Sequence, residues 1–403
     1  MSSIQVLSEI GKLKQVMLHR PGREVENLIP DYLERLLFDD IPYLKIARQE
    51  HDRFAEILRE NGAEVLYLED MLAEVFADAE IKAAFLQEML EESDVHSTYR
   101  RDALFEHLMA LPVPQMIDDI MSGIRKGQVE YSGDSLFDIL KCDYEFYLDP
   151  MPNLYFTRDP GACMGNGLTI NTMTTRARKR ETLFLKYLHL HHKVFKDAPL
   201  WYNRDMPHSI EGGDELVLSD KVVAIGASDR TSAAAIERVA KNLFKSDSTY
   251  EKVLVFEIQK RRAYMHLDTV FTMVDHDKFT VHPGIYSDLN IYEMYKTAGG
   301  RYSVRYIGNS AKKALEETLN IDHIDLIECG GGDAIISHRE QWNDGSNTLA
   351  VAPGVVVTYE RNYVSNELLD KKGVKVLTMP SSELSRGRGG PRCMSMPINR
   401  EKL

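Results

Sequence analysis

The feature that most constrains this chain is a pattern that keeps returning from Pro152 onward. An acidic residue opens a strand-like run, a turn follows, a second apolar run returns, and a helical stretch comes next. Asp159 leads Gly161 to Asn171, with Gly165-Asn166-Gly167 as the turn and a basic helix from Arg176. Asp214 leads Glu215 to Leu218, a turn at Ser219-Asp220-Lys221, the run Val222 to Gly226 and a helix from Thr231 to Phe244. Asp268 leads Thr269 to Val274, a turn at Asp275-His276-Asp277, and Phe279 to Val281. Asp333 leads Ala334 to His338, a longer polar loop, Val355 to Val357 and a helix near Asn366. These leaders stand about 55 to 65 residues apart. A period of that order marks repeated supersecondary units. Four such units, with the strand Leu13 to His19 as a fifth, predict a ring of ββαβ modules that present their leading polar residues to a common centre. Coincidental spacing in an ordinary α/β chain is the alternative.

One segment breaks the pattern. Between Glu74 and Gln128, Phe85/Leu86/Met89/Leu90, Leu104/Phe105/Leu108/Met109 and Ile117/Ile120/Met121/Ile124 form apolar stripes at helical spacing. We expect an inserted helical domain over 74–148, with 1–73 and 149–403 forming one discontinuous α/β domain. The longest apolar runs fall well short of the ~20 residues that cross a bilayer, and the N-terminus is interrupted by Gln5, Ser8 and Glu9. A cytoplasmic protein with no membrane contact is expected. The net charge of −13 argues against nucleic acid, whose binding depends on neutralising phosphates. Cys142, Cys163, Cys329 and Cys393 are scattered, which excludes a disulfide scaffold and a zinc ribbon. The first three are expected to be passive.

The chemistry gathers in a few short stretches. Ser385-Arg386-Gly387-Arg388-Gly389-Gly390-Pro391-Arg392-Cys393 sets one cysteine in a loop rich in glycine and arginine, surroundings that favour a thiolate. His266 and Asp268, two apart, share a face if the segment is extended. Glu211-Gly212-Gly213-Asp214 adds two carboxylates. His189, His191 and His192 are expected on an exposed helix face. A cysteine, a histidine and several carboxylates are more acids than a cysteine protease requires. They suit a planar cation that accepts forked hydrogen bonds, of which guanidinium is the obvious one. A thiolate attacking its carbon would form a covalent intermediate that water resolves, with the histidine as acid and then base.

These residues resemble arginine deiminase, of the guanidino-group-modifying superfamily. The resemblance is carried by Met151-Pro152-Asn153-Leu154-Tyr155-Phe156-Thr157-Arg158-Asp159-Pro160, Ile210 to Asp214, His266-Leu267-Asp268-Thr269 and Arg386 to Ser395, together with the helical insertion. It implies an α/β fold, a five-bladed propeller with pseudo-fivefold symmetry, and conversion of L-arginine to L-citrulline and ammonia without metal or organic cofactor. It further implies Cys393 as nucleophile, His266 as general acid and base, Asp159 and Asp268 as the guanidinium clamp, and Glu211 as a further catalytic carboxylate. Arg178, in preference to Arg176, together with Arg230, Arg388 and Asn153, would hold the amino-acid end. Asp214 and Phe156 would make lesser contacts to the ammonium and the aliphatic stem. A homodimer or homotetramer would be usual for the family. The rival readings are an amidinotransferase or a deiminase of another guanidine, a metal hydrolase using His266, Asp268 and Glu211, and a non-enzymatic binding protein on the same fold.

Overall fold

The computed structural model describes residues 3–93, 95, 97–130, 144–246, 248–297 and 301–403, so Cys142 lies outside the described residues. Five of its sheets share one internal plan. In each, an antiparallel strand pair, a hairpin in four of the five, is followed by a helix, and the next strand returns parallel to one strand of the pair. A parallel return requires a crossover, and the helix supplies it while covering one face of the sheet.

Cys163–Met164 and Gly167–Thr169 pair with Leu200–Tyr202 through the helix Glu181–His191. Glu215–Val217 and Val222–Ala227 pair with Lys252–Glu257 through Ala233–Lys245. Phe271–Asp275 and Lys278–Val281 pair with Asp325–Glu328 through Ala311–Leu319. Leu349–Ala352 and Val355–Tyr359 pair with Lys375–Met379 through Tyr363–Lys371. The last sheet joins the chain's two ends: Met396–Arg400 runs antiparallel to Leu13–Leu18, which runs parallel to Glu64–Tyr67 across the helix Leu44–Glu60. The second sheet carries two further antiparallel strands, Asn290–Lys296 and Tyr302–Gly308.

The crossover helices are held by one apolar face. In Ala233–Lys245, Ala235, Ile236, Val239, Ala240, Leu243 and Phe244 are buried, while Glu237 and Arg238 face outward. This is the helical repeat that the sequence displays. Ser232 caps that helix by accepting from the Ala235 amide.

Four consecutive helices, Leu68–Phe76, Ala79–Glu92, Thr98–Ala110 and Val113–Ser122, account for the predicted helical segment. They share an apolar core with the α/β body: Phe85 lies 5.7 Å from Phe184 and 5.1 Å from Tyr187, ring to ring. Arg204 joins the two through a bidentate pair with Glu92 at 2.6–2.7 Å. Leu68, the first residue of these helices, follows directly on the strand Glu64–Tyr67.

Two expectations need correction here. Asp333 does not lead a strand. Gly330, Gly331 and Gly332 all have positive φ and turn the chain into the helix Ala334–Trp342, which Asp333 caps by accepting from the Ile335 and Ile336 amides. The residue standing before the fourth hairpin is Asn347. The strand Leu13–Leu18 does belong to a fifth unit, in which it pairs with Met396–Arg400, and the residue standing before that pair is Cys393. The leading residues are therefore Asp159, Asp214, Asp268, Asn347 and Cys393. The histidine reading is also revised: His191 is exposed, but His192 is buried beyond the helix end, beside Phe195.

Candidate active site

The turns that precede the hairpins surround a cavity of about 290 Å³, lined among others by Asn153, Phe156, Asp159, Glu211, His266 and Cys393. Each side chain is set by a local backbone device. The Gly212–Asp214 turn hooks onto the Asp159 loop through the Gly212 amide, which donates to the Asp159 carbonyl at 3.1 Å. A Cβ on Gly213 would lie 2.6 Å from His266 Nδ1, so glycine there lets the imidazole come close. His266 and Asp268 do not lie on an extended segment. Leu267–Thr269 is a 3₁₀ turn, held by Thr269 Oγ1 donating to the His266 carbonyl at 2.7 Å and the Leu267 amide donating to Asp214 Oδ1 at 2.8 Å.

His266 is fully charge-matched. Nε2 lies 2.8 Å from Glu211 Oε2 and Nδ1 3.7 Å from Asp159 Oδ1. Burial works against a charged imidazole, but Asp159 and Glu211 outweigh it and raise its pKa to about 9. Burial likewise opposes the Glu211 carboxylate, and the hydrogen bond and charge of His266 with Arg230 and Arg178 outweigh it, holding it at about 2. Glu211 Oε1 accepts from the Thr174 amide at 3.0 Å, and Arg230 Nη1 stands 3.6 Å away. At neutral pH the site therefore holds an imidazolium against a carboxylate, an arrangement ready to donate a proton.

Cys393 is 4% exposed, and its Sγ lies 3.7 Å from Asp268 Oδ2. The same oxygen accepts from Arg392 Nη1 at 2.8 Å. Asp159 is anchored in parallel fashion, its Oδ2 accepting from Arg178 Nη1 at 2.5 Å. One oxygen of each carboxylate is thus held by an arginine. The other, Asp159 Oδ1 and Asp268 Oδ1, is buried without a hydrogen-bond partner. Buried carboxylate oxygens without a donor are costly. Two such carboxylates, one lining the cavity and one adjoining the thiol, would suit a cation with several N–H groups.

The arginine-rich loop does not act on the thiol as its composition suggests. Arg386 pairs with Asp40 and Glu383. Arg388, at φ 63°, lays its guanidinium over the Trp342 ring, 3.3 Å from the centroid. Only Arg392 is close, and Glu9 and Asp268 share its charge. Burial first, then Asp268, Asp159 and Asp344, push the Cys393 thiol well above its ordinary value, with Arg392 opposing them. The loop is packed: a Cβ on Gly389 would collide with the Phe156 ring.

Of the expected residues, Asn153, Phe156, Asp159, Arg178, Glu211, Arg230, His266, Arg388 and Cys393 all line the cavity. Asp268 adjoins the thiol from outside that lining. Asp214 is fully buried away from it and accepts from Ser228 Oγ at 2.6 Å as well as from Leu267. Arg178 already engages Asp159, Glu181 and the carbonyls of Asn153 and Phe156. Glu9, Arg392 and Asn347 were not singled out for roles in the sequence. Arg392 is signalled only by adjacency to Cys393; Glu9 reaches it from 383 positions away and gives no sequence signal.

Comparison with known proteins agrees with this geometry. The profile of the arginine deiminase family matches residues 34–400. The arginine deiminase of Latilactobacillus sakei subsp. sakei (strain 23K) is 54% identical over 407 residues, covering 100% of this chain and 99% of that protein. The arginine deiminase of Clostridium perfringens (strain SM101 / Type A) is 54% identical over 411 residues, with the same coverage. Among solved structures, an amidinotransferase from Microseira wollei superposes with TM-score 0.58 at 13% identity, covering 100% of this chain and 98% of its own. DDAH from Pseudomonas aeruginosa, complexed with citrulline, superposes with TM-score 0.53 at 14% identity, covering 96% and 99%. These structural likenesses establish an α/β fold of several sheets. A full-length match at that identity, together with a family profile spanning nearly the whole sequence, places the chain in the arginine deiminase family.

Proposed function

We propose that this enzyme hydrolyses the guanidino group of L-arginine to L-citrulline and ammonia through a thiouronium adduct on Cys393. The observation that carries the reading is the pair of buried oxygens that accept no hydrogen bond, Asp159 Oδ1 and Asp268 Oδ1, on carboxylates around a buried thiol. A guanidinium donates to both, which orients its carbon toward Sγ and lowers the barrier by positioning. With the guanidinium bound, the Cys393 thiol gives its proton to solvent and Sγ attacks that carbon as thiolate. The imidazolium of His266 protonates one nitrogen, the C–N bond breaks, and ammonia leaves the S-alkylthiouronium. His266, now neutral, takes a proton from water as the oxygen adds to the same carbon. The C–S bond then breaks as the new hydroxyl gives its proton to solvent, which returns the thiolate and releases citrulline. Glu211 holds the imidazole in place and supports its charge through both halves.

Arg230, Arg388 and Asn153 bind the amino-acid end in this scheme, and Phe156 flanks the aliphatic stem. Arg178 lines the same cavity with its donors already engaged, so its main part is to fix Asp159. Asp214 acts on the His266 turn and stands apart from the substrate ammonium. The same reading extends to the whole molecule: a five-bladed α/β propeller over 1–73 and 149–403 with a helical domain over 74–148, acting in the cytoplasm as a homodimer or homotetramer. The five repeats of one sheet plan support the propeller. No described helix is long and apolar enough to cross a membrane.

The test is release of citrulline and ammonia from L-arginine by the intact protein and by Cys393→Ala. We expect product from the first and none above background from the second. Product from both would remove the cysteine route. Product from neither, with turnover only when an amine acceptor is added, would replace hydrolysis by amidino transfer.

A further inference from the structure

We propose that Asn347 is a positioning residue that locks the nucleophile's loop to the loop of Asp268. Its side-chain amide spans the two. Oδ1 accepts from the Cys393 backbone amide at 3.1 Å, and Nδ2 donates to the Asp268 carbonyl at 3.1 Å. One partner is a donor and the other an acceptor, so the pair fixes the orientation of the amide. Asn347 is fully buried and does not line the cavity.

Three independent features converge on this clasp. Asn347 occupies the leading position of the fourth module, where three of the other modules carry an aspartate and one carries Cys393. A carboxylate there would have no proton for the Asp268 carbonyl, whereas an amide serves both neighbours. Second, Asn347 is itself held from behind. The carbonyl of its neighbour Ser346 accepts from Thr272 Oγ1 at 2.8 Å and Thr280 Oγ1 at 3.0 Å, and Thr348 Oγ1 adds a contact to Thr272 at 2.7 Å. Third, Gly390 lies so close that a Cβ there would stand 2.7 Å from Asn347 Oδ1 and 2.8 Å from its Cβ. Gly390 has no positive φ, so the glycine serves close approach to Asn347. The Cys393 carbonyl accepts from the Arg158 amide at 3.1 Å, which leaves the Asn347 bond as the hold on the amide side.

Sγ and Asp268 Oδ2 thus keep their 3.7 Å separation because a rigid bridge joins their backbones. Displacing such a pair by an ångström costs about two orders of magnitude in rate. Substrate affinity changes little, because Asn153, Phe156, Asp159 and Arg230 stand on other loops of the cavity.

The inference rests on Cys393 as nucleophile, and Cys393→Ala run in parallel separates the two questions. Asn347→Asp keeps an acceptor for Cys393 N–H and loses the donor; Asn347→Ala loses both; Gly390→Ala presses a methyl group directly on Asn347 while keeping both of its hydrogen-bonding groups. We expect kcat for L-arginine to fall about 100-fold in each, with KM and the Kd for citrulline within about threefold of the parent. Retention of kcat within about threefold in both Asn347 variants overturns the proposal. So does a KM or Kd that rises about tenfold, which would make Asn347 a substrate contact. If Asn347→Ala fails to fold, Asn347→Asp and Gly390→Ala decide. Loss of the folded circular-dichroism signal in all three would leave a purely structural residue and overturn it as well. An active Cys393→Ala would instead remove the nucleophile on which the inference stands.

Discussion

At the scale of single residues, the site is a collection of charges that are balanced except where a substrate cation belongs. His266 has Glu211, Arg178 has Asp159 and Glu181, and Arg392 has Glu9 and Asp268. Cys393 is the exception, because burial and then the charges of Asp268, Asp159 and Asp344 all disfavour its thiolate. A bound guanidinium reverses the sign of the local field. The thiol is therefore expected to ionise at lower pH when a non-hydrolysable guanidine fills the cavity than when it is empty. Thiolate absorbance, titrated with and without the analogue and with Cys393→Ala as blank, measures the difference. An unchanged midpoint would mean that the carboxylates do not govern the nucleophile. The participants in this balance were mostly readable in sequence, since Asp159, Glu211, His266, Asp268 and Cys393 sit in short recognisable motifs. The direction of the field was not, because three arginines near a cysteine in sequence say nothing about where their guanidinium groups point.

At the scale of elements, one plan repeats: a polar residue in a tight turn, a hairpin, a crossover helix and a parallel strand. The hairpins and helices follow from alternation and from apolar stripes, and most were legible. The fourth unit was misread because an acidic residue before an apolar run fits a helix cap as well as a strand leader. Asp333 is exposed and distant in role from the cavity, with its carboxylate on two amides of the helix Ala334–Trp342. Asp333→Ala should accordingly cost about 1 kcal/mol of stability, lowering the urea midpoint slightly, and leave kcat and KM for L-arginine unchanged. A large loss of activity without a loss of stability would return Asp333 to the functional centre.

At the scale of the whole molecule, the ends of the chain are joined at its core. Met396–Arg400 pairs with Leu13–Leu18, and Glu9 meets Arg392 in a bidentate contact at 3.0 and 3.2 Å. Burial alone would raise the Glu9 carboxyl, but Arg392, Arg158 and Arg400 outweigh it and hold it at about 2, against 4.5 ordinarily. A lowered folded value means that this stability is present above pH 4.5 and is lost as pH falls toward 2. Glu9→Gln leaves Arg392 short of a counter-charge and should destabilise the protein by about 3–5 kcal/mol at neutral pH. It should also shrink the acid-dependent loss of stability below pH 4.5. Urea midpoints of parent and variant at neutral pH and near pH 3 check both. An equal acid sensitivity in the two would mean that other carboxylates dominate.

The sequence by itself determined the module, the helical segment and the motifs that carry the candidate groups, because periodicity and short motifs are local and survive without coordinates. Only the tertiary structure decided that Asn347 stands in the fourth leading position, that Arg386 engages Asp40 and Glu383 while Arg388 lies on Trp342, and that Glu9 anchors Arg392. Those facts depend on pairs 46 to 383 residues apart and on the direction of long side chains. Packing of the whole chain sets both, and no local pattern records them.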